Sequence, residues 1–356
     1  MILTFFVIFG VAYCIWIRLI RRGLNQLSCH REFSRTVVSE GDEAELIEVV
    51  RNDSPHTIPW LRVESRLSPY LRLGKQENLH IGGEQYYCSL FTLMPYQQIR
   101  RRHRVKFLRR GVYDLGSASL TSGDLLGIYR YQRMQQLSAP VMVYPRLLDP
   151  EGLPMPLSYM MGEVVCRQHL LQDPFLVRGI RPYLPGDPVR DIHWAATART
   201  GQAQVRVKDY TNQTRLMVVI NVQSEEWMWG NVLTEQSAEN MEYVISLAST
   251  LCVQAIRAGL SAGIAANMPL GGGKESLILQ PAGGSVQEDA VLSAMAQLTV
   301  VRSEPIRNLL EKLGSEGGLD ILLLSWYDSE SLQEDLQKLE QKGNRTYLHL
   351  LEGGCQ

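Results

Sequence analysis

The chain has 356 residues, of which 45% are hydrophobic and 21% charged, and its formal net charge is -1. This balance is typical of a globular protein with a core, and the length predicts roughly two to three domains. The near-zero charge argues against a global basic field for nucleic acid. Six scattered cysteines without a C-x-x-C pair argue against a zinc site or a redox dithiol.

The first predicted element is a transmembrane anchor at residues 1–22. Ile2 to Ile17 is almost wholly apolar, and a basic flank begins at Arg18. A run of about this length predicts a membrane-spanning helix, and the order of apolar and basic residues argues against a cleaved signal peptide. The positive-inside rule then predicts a single-pass inner-membrane protein, with its N-terminus outside and its bulk in the cytoplasm.

Residues 33–150 have the pattern of an antiparallel β-sandwich of immunoglobulin-like type. Short apolar or alternating runs are separated by turn residues, without intervening helical periodicity. Residues 96–110 contain seven basic side chains. We interpret them as a strand with a solvated arginine face, whose buried side is supplied by Val105, Phe107 and Leu108; contact with anionic lipid is the lesser alternative.

Residues 151–210 form an irregular connector, and residues 211–356 predict a doubly wound α/β domain. Leu216–Val222 and Ile321–Trp326 are continuous apolar runs, as expected for strands buried on both faces. Apolar residues recur at helical spacing between Glu235 and Ala258. A capping box of Ser285 with Glu288 predicts the start of a further helix.

The known catalytic and phosphate-binding motifs give no case for an enzyme. The glycine-rich loop before Lys274 lacks the first glycine of a Walker A motif, and Glu275 stands where Ser or Thr is required. The sequence contains no G-x-S-x-G elbow and no H-E-x-x-H pair. The sequence therefore predicts a non-catalytic protein that needs no cofactor.

Residues 181–209, RPYLPGDPVRDIHWAATARTGQAQVRVKD, concentrate charged and aromatic groups in one span. Two interpretations remain open: an internal polar network that fixes the connector, or a surface that binds a partner. Under either interpretation Trp194 is expected to need a burial site. The candidate residues are Arg181, Tyr183, Gly186, Asp187, Arg190, His193, Trp194 and Arg199.

This span resembles the hallmark of the domain-of-unknown-function family fifty-eight, a MoxR-associated family. The family pattern runs as Arg, an aromatic residue, Gly-Asp, Arg-x-Ile-x-Trp and then Ala-Arg-Thr-Gly. It is matched here by Arg181, Tyr183, Gly186, Asp187, Arg190, Ile192, Trp194, Ala198, Arg199, Thr200 and Gly201. Upstream, three further stretches resemble family landmarks: Arg109-Arg110-Gly111-Val112-Tyr113, the Gly123-Asp124-Leu125-Leu126-Gly127 turn and Val143-Tyr144-Pro145.

The resemblance implies a membrane anchor, a β-rich domain and a von Willebrand factor A-like domain that acts beside a MoxR-type AAA+ ATPase. Such domains often carry a metal-ion-dependent adhesion site with the pattern D-x-S-x-S. The matching positions here are Asn221, Gln223 and Glu225, which lack most of the hard oxygen ligands that Mg²⁺ prefers. We therefore expect no metal.

These observations lead to a membrane-anchored, non-catalytic adaptor or assembly factor whose partner is a MoxR-type AAA+ ATPase. Other membrane proteins and anionic lipid are further candidate partners, and nucleic acid is not expected. The alternative is a cell-envelope hydrolase with an unrecognised site near Asp187 and His193. A third, weaker hypothesis is a structural envelope protein without an ATPase partner.

Overall fold

The computed structural model divides the chain into two compact units, Met1–Arg146 and Leu147–Gln356. The residues that it describes are 2–74, 79–81, 84–124, 129–149, 153–170, 172–185, 187–210, 215–228, 230, 233–315 and 317–351.

The first unit consists of one helix followed by strands. Its elements are α1 (Ile2–Asn25), β1 (Leu27–Phe33), β2 (Val37–Ser39), β3 (Glu43–Asn52), β4 (Ile58–Leu67), β5 (Leu71–Leu73), β6 (Leu79–Ile81), β7 (Glu84–Leu93), β8 (Gln98–Phe107), β9 (Gly111–Asp114), β10 (Ser117–Gly123), β11 (Arg130–Gln136) and β12 (Pro140–Tyr144).

These strands form three sheets, with orders β1-β3-β8-β5, β11-β10-β4-β7-β6 and β2-β12-β9. Alternation of side chains places one face of each strand in the core. In β8 four of the five exposed positions are basic (Arg100, Arg102, Arg104 and Lys106), whereas Val105 and Phe107 are buried. Leu108, expected on the buried side, lies outside the strand and is exposed.

A polar network crosses the core of the first unit. The fully buried Arg31 of β1 donates to Glu48 of β3 through Nε at 2.9 Å and Nη2 at 2.6 Å. Arg31 also donates to Ser65 of β4, and its guanidinium lies 5.4 Å from the ring centroid of Tyr87 in β7. The network therefore joins strands of two different sheets.

The structure of helix α1 contradicts the predicted membrane anchor and the localisation that was derived from it. Among the described residues, no helix is both long enough and apolar enough to span a membrane. The predicted single-pass anchor at residues 1–22 is therefore wrong, and so is the predicted inner-membrane placement. The physical reason is visible in α1 itself. Arg18 interrupts its apolar run. The helix also contacts the strands that follow it: the Tyr13 hydroxyl donates to Asp124 at 3.1 Å, and Arg21 lies over the ring of Tyr131. Leu24 is buried in the β-strand core.

The second unit alternates helices and strands. Its elements are α2 (Met155–Leu170), β13 (Gln172–Pro182), a 3-10 turn (Val189–Asp191), α3 (Trp194–Thr200), β14 (Gln204–Tyr210), β15 (Arg215–Ile220), α4 (Glu235–Arg257), β16 (Ser261–Pro269), β17 (Ser276–Ala282), α5 (Ser285–Gln297), α6 (Ile306–Leu313), β18 (Leu319–Ser325), α7 (Glu330–Gln341) and β19 (Arg345–Leu350).

Five of these strands form one sheet in the order β17-β16-β15-β18-β19, while β13 and β14 pair separately. The apolar runs of β15 and β18 are buried because helices cover both faces of the sheet. One core contains α2, α4 and α5, and the other contains α6 and α7. The carboxyl ends of β15, β16 and β18 therefore meet at one edge.

The sheets also correct the predicted fold class. In the first unit β2 pairs parallel with β12, so this unit is not the purely antiparallel β-sandwich that was predicted. In the second unit β17 runs antiparallel to β16, so the sheet is mixed, and the doubly wound, von Willebrand factor A-like class is not supported. The short connection after β16 explains this pairing, because a tight turn can join only antiparallel neighbours.

Two local features of the second unit bear on the sequence motifs: the glycine-rich loop, and a helix that begins at Ser285 as predicted but without its capping box. The glycine-rich loop lies at the tip of the β16–β17 hairpin, with Gly271 and Gly272 at positive φ. The capping box before α5 is absent: Gly284 is the N-cap and makes no side-chain capping bond. The Glu288 carboxylate instead accepts from Arg257 at 2.6 Å.

Candidate functional site

The residues of the sequence motif lie in and around a two-stranded hairpin. β13 and β14 pair antiparallel, with Arg181 opposite Val205 and Pro182 opposite Gln204. The 21 residues between them (183–203) contain the 3-10 turn and α3. An isolated two-stranded pair is weak by itself, so the segment between the strands must supply its own fixed contacts.

Arg181 and Asp187 supply the first of these contacts. The guanidinium donates to both carboxylate oxygens at 2.7 Å, and the Leu184 N–H donates to Asp187 at 2.8 Å. The guanidinium, and next the Leu184 N–H, hold the pKa of Asp187 below its ordinary value. This ion pair closes the turn after β13. Gly186 of the motif lies outside the described residues.

His193 supplies the second contact. Its Nδ1 accepts from the Ala196 N–H at 3.1 Å as the N-cap of α3, and its own N–H donates to the Gln204 carbonyl at 2.7 Å. An Nδ1 that accepts this bond carries no proton of its own. The ring therefore serves as a cap, and the hydrogen bonds of Asp187 and His193 go to different groups. This geometry gives no support to the hydrolase alternative.

Helix α3 is held to β14 by the side chain of its fourth residue and is ended by glycine. The Thr197 hydroxyl accepts from the Gln204 N–H at 2.9 Å. Gly201 adopts φ +71° at the C-cap, a conformation that glycine takes without strain. The glycine of the Ala-Arg-Thr-Gly part of the motif is thus explained by the local backbone.

Most of the remaining motif side chains are exposed, although Ile192 is partly buried. Trp194 is 67% exposed, contrary to the expected burial site, and neither α3 nor the 3-10 turn contains a buried residue. We call the exposed side chains of this segment the hairpin surface. Its members are Ile180, Tyr183, Leu184, Val189, Arg190, Trp194 and Arg199.

A second candidate site lies at the carboxyl edge of the five-stranded sheet. It is a cavity of about 500 Å³ whose lining includes Trp227, Arg302, Arg307, Tyr327 and Asp335. In open α/β sheets, ligands bind outside the carboxyl ends where the strand order reverses. The chain passes from β15 to β16 on one side and later to β18 on the other, so the cavity occupies such a place.

Amide side chains form a network beneath this cavity. Asn221 donates to the Ser325 hydroxyl at 3.2 Å and accepts from Asn267 at 3.1 Å. Gln223 accepts from the Ile306 N–H at 2.7 Å. Of the three positions that correspond to an adhesion-type metal site, Asn221 and Gln223 are thus engaged with neutral partners, and Glu225 is exposed. The expected absence of a metal stays a prediction.

Sequence reasoning did not find the cavity, although a signal exists. Asn221 follows one buried strand, Ser325 ends another, and Asn267 lies near the end of a third, which is where parallel strands place polar groups. Arg302 and Arg307 carry no such signal, because they flank the start of a helix far along the chain. Burial keeps the pKa of Tyr327 above its ordinary value.

The hairpin and the edge of the sheet define an α/β unit with two candidate recognition sites. Residues 179–313 match the family described as "Protein of unknown function DUF58". The match runs from β13 to the end of α6, which is less than half of the chain, and it supports a relationship to that family. No curated protein matches the chain.

Three solved structures are examples of those to which the chain shows structural similarity. The CARDB domain of a Pyrococcus furiosus protein, in complex with di-metal ions, is 17% identical, with 33% of this chain and 91% of that chain covered and a TM-score of 0.22. A protein of unknown function from Porphyromonas gingivalis is 13% identical, covering 36% and 51%, with a TM-score of 0.23. A non-cellulosomal cohesin from Archaeoglobus fulgidus is 8% identical, covering 33% and 91%, with a TM-score of 0.21. These scores are too low to support a fold or a function.

Proposed function

We propose that the protein is a non-catalytic adaptor that binds a protein partner through the hairpin surface, and that this partner is a MoxR-type AAA+ ATPase. The observation that carries the proposal is the exposure of Trp194 on a segment whose backbone is fixed. Single exposed apolar residues are ordinary, but four further apolar or aromatic side chains are exposed in the same segment.

The composition of the hairpin surface supports a protein partner. Aromatic residues and arginine are enriched in protein interfaces, and tryptophan and arginine dominate their binding energy. Trp194 is accompanied by the exposed Arg190 and Arg199. The Arg181–Asp187 pair and the His193 cap hold the segment in one conformation, which lowers the entropy that is lost on binding.

The choice of an ATPase as partner rests on the family relationship, because the motif residues lie within the matching region. The proposal requires no catalytic role for the chain. His193 caps a helix and Asp187 pairs with Arg181 in a turn, so both side chains already have structural roles.

The test is co-purification and equilibrium binding with the MoxR-type ATPase of the same organism. Trp194→Ala is expected to weaken binding at least tenfold, which corresponds to about 1.4 kcal/mol. Tyr159→Ala is the matched control, because Tyr159 is an exposed aromatic residue of α2 in the same unit. Wild-type affinity in a folded Trp194→Ala variant, or failure of the wild-type protein to bind the ATPase, would contradict the proposal.

A further inference from the structure

Strand β8 of the first unit is paired along most of its length on one side only. β3 pairs with residues 98–106 of β8, whereas β5 pairs only with residues 105–107 on the other side. One further bond, from the Gly74 N–H to the Arg104 carbonyl at 2.9 Å, extends this second contact. Within the part of the chain that the structure describes, no other strand lies beside β8. We call the unpaired stretch, residues 98–103, the open edge.

The burial of side chains agrees with an open edge at this place. Three inward-facing residues of β3 are at most 1% exposed, namely Leu46, Glu48 and Val50. The residues directly opposite them in β8 are only partly buried, namely His103, Arg101 and Ile99. This difference is expected, because β3 has a strand on each side and this part of β8 has one.

Arg100 and Arg102 direct their backbone groups to the open side. In an antiparallel strand, the N–H and C=O of one residue point to the same side, and successive residues alternate. The Arg104 carbonyl accepts from Gly74, and the Leu108 N–H donates to the Tyr70 carbonyl at 2.9 Å. The even-numbered residues of β8 therefore face the side of β5. By the same alternation, Arg100 and Arg102 offer two N–H and two C=O groups to a further strand.

The side chains of Arg100 and Arg102 have only weak partners. Arg100 lies 3.8 Å from Glu32 and Arg102 lies 3.5 Å from Glu45, with the arginine side chains 51% and 60% exposed. Exposed pairs of this kind contribute little to stability. The positions opposite the two arginines on β3 are apolar, namely Val49 and Ile47. A carboxylate directly opposite each arginine on a new strand would therefore meet little competition.

The whole exposed face of the four-stranded sheet keeps a positive excess. Its described cations are Arg51, Arg72, Arg100, Arg102, Arg104 and Lys106. The carboxylates beside them are Glu32, Glu43, Glu45 and Asp53, the last paired with Arg51. Six cations thus stand against four carboxylates, so an acidic partner is favoured over a basic or neutral one.

A second copy of the chain does not fit the open edge. Pairing of two such edges would bring arginine side chains opposite one another, and like charges at opposite positions destabilise a sheet. A strand with acidic residues at alternate positions fits instead. Its carboxylates lie on one face about 6.8 Å apart, which is also the spacing of Arg100 and Arg102 along β8.

We propose that the open edge binds an extended acidic segment of a partner protein by strand addition, with acidic side chains opposite Arg100 and Arg102. Main-chain hydrogen bonds supply affinity in this mode of recognition, and the alternate side chains supply specificity. The residue between the two acids faces the side of Arg101, whose guanidinium lies 4.1 Å from the ring centroid of Phe91. The inference goes beyond the proposed function, because it concerns the first unit and requires no ATPase.

The experiment measures fluorescence anisotropy of a labelled, amidated peptide, Gly-Ser-Glu-Val-Glu-Val-Ser-Gly, with the full-length protein. We expect saturable binding that weakens at least tenfold when both peptide glutamates are replaced by Gln. The double variant Arg100→Gln with Arg102→Gln should cause a similar loss. The matched control is Arg72→Gln with Lys106→Gln, because these two cations lie opposite each other where β5 already occupies the edge.

A second set of peptides tests the main-chain bonds. In an antiparallel addition the amides of the two glutamates bond to β8, and in a parallel addition the amides of the valines do so. N-methylation of one set should therefore abolish binding, and N-methylation of the other set should leave most of it. Equal effects of the two sets would overturn strand addition.

Two further outcomes would overturn the proposal. One is the absence of saturable binding by the wild-type protein. The other is an equal loss in the two double variants at unchanged unfolding temperature, which would indicate a diffuse attraction to basic surface. Trp194→Ala is expected to bind the peptide normally, so failure here and failure of the proposed function are distinguishable.

Discussion

The first unit buries an arginine–carboxylate pair between its sheets, whereas the hairpin of the second unit holds one at its surface. The Arg31 and Glu48 side chains are both 0% exposed, and Ser65 and Tyr87 surround them. Arg31 donates twice to a single oxygen of Glu48, whereas Arg181 donates to both oxygens of Asp187 at 2.7 Å, and the Arg181 side chain is 41% exposed. The same kind of ion pair therefore occurs in two environments, one in the protein core and one in contact with water.

Because the two ion pairs differ in burial, we assign them different roles. Taking two charges out of water is costly, and a buried pair is tolerated only when every polar atom finds a partner. The Tyr87 hydroxyl meets this need, since it donates to Glu48 at 3.3 Å, accepts from Ser89 at 2.6 Å and lies 2.8 Å from His103 Nε2. The buried pair joins neighbouring strands of one sheet and, through Ser65 and Tyr87, connects them to the second sheet, whereas the exposed pair closes a turn.

The largest expected effect is on the buried pair. Glu48→Gln removes the charge opposite Arg31, and breaking a buried pair in this way costs about 3–5 kcal/mol. Urea unfolding of the full chain measures the loss. The exposed pair Arg51–Asp53, with an N–O distance of 2.5 Å, provides the control: Asp53→Asn is expected to lower the free energy of unfolding by about 1 kcal/mol or less.

The double variant Arg31→Met with Glu48→Leu sharpens this prediction. If the penalty in Glu48→Gln comes from an unpaired buried charge, replacing both charges with apolar side chains should recover most of the stability. A double variant that is as unstable as Glu48→Gln would show instead that the hydrogen bonds to Ser65 and Tyr87 are themselves required.

A smaller effect concerns pH. Burial, outweighing the opposing effect of Glu48, lowers the pKa of His103 below its ordinary value of 6.5. The unfolded chain then binds more protons than the folded chain as pH falls through this value, so the free energy of unfolding decreases toward acid. Urea unfolding at about pH 7.5 and about pH 5.5 measures the decrease. His103→Gln should show a shallower pH dependence, and an unchanged slope would contradict the role of this group.

Sequence patterns predicted the regular elements of residues 211–356 well, but they missed the strands β13 and β14 in the predicted irregular connector and predicted the polar contacts poorly. Apolar spacing predicted a helix over Glu235–Ala258, and α4 spans Glu235–Arg257. Continuous apolar runs predicted β15 and β18. These patterns are local, because burial of a strand or of a helix face leaves a fixed periodicity in the chain.

The buried pair needed information that no single segment contains. Arg31 follows Leu27 and Cys29 at alternate positions, which places it on the buried face of β1, yet only the pairing of β1 with β3 brings Glu48 opposite. The exposure of Trp194 was missed for a similar reason. The motif shows a tryptophan between polar groups, and only the capping by His193 and the pairing with β14 direct it to solvent.

The smallest effect on stability is expected at the exposed pair. Asp187→Asn keeps the shape of the side chain but removes its charge, and Arg181 then remains solvated, so the unfolding temperature should stay close to that of the wild-type protein. The turn that presents Leu184 and Val189 should become less fixed, because the two short charge-assisted bonds are weakened. Binding to the ATPase is therefore expected to weaken while differential scanning fluorimetry records no large shift. A variant that unfolds as readily as Glu48→Gln would place Asp187 among the groups that hold the fold together, and the contrast between the two pairs would disappear.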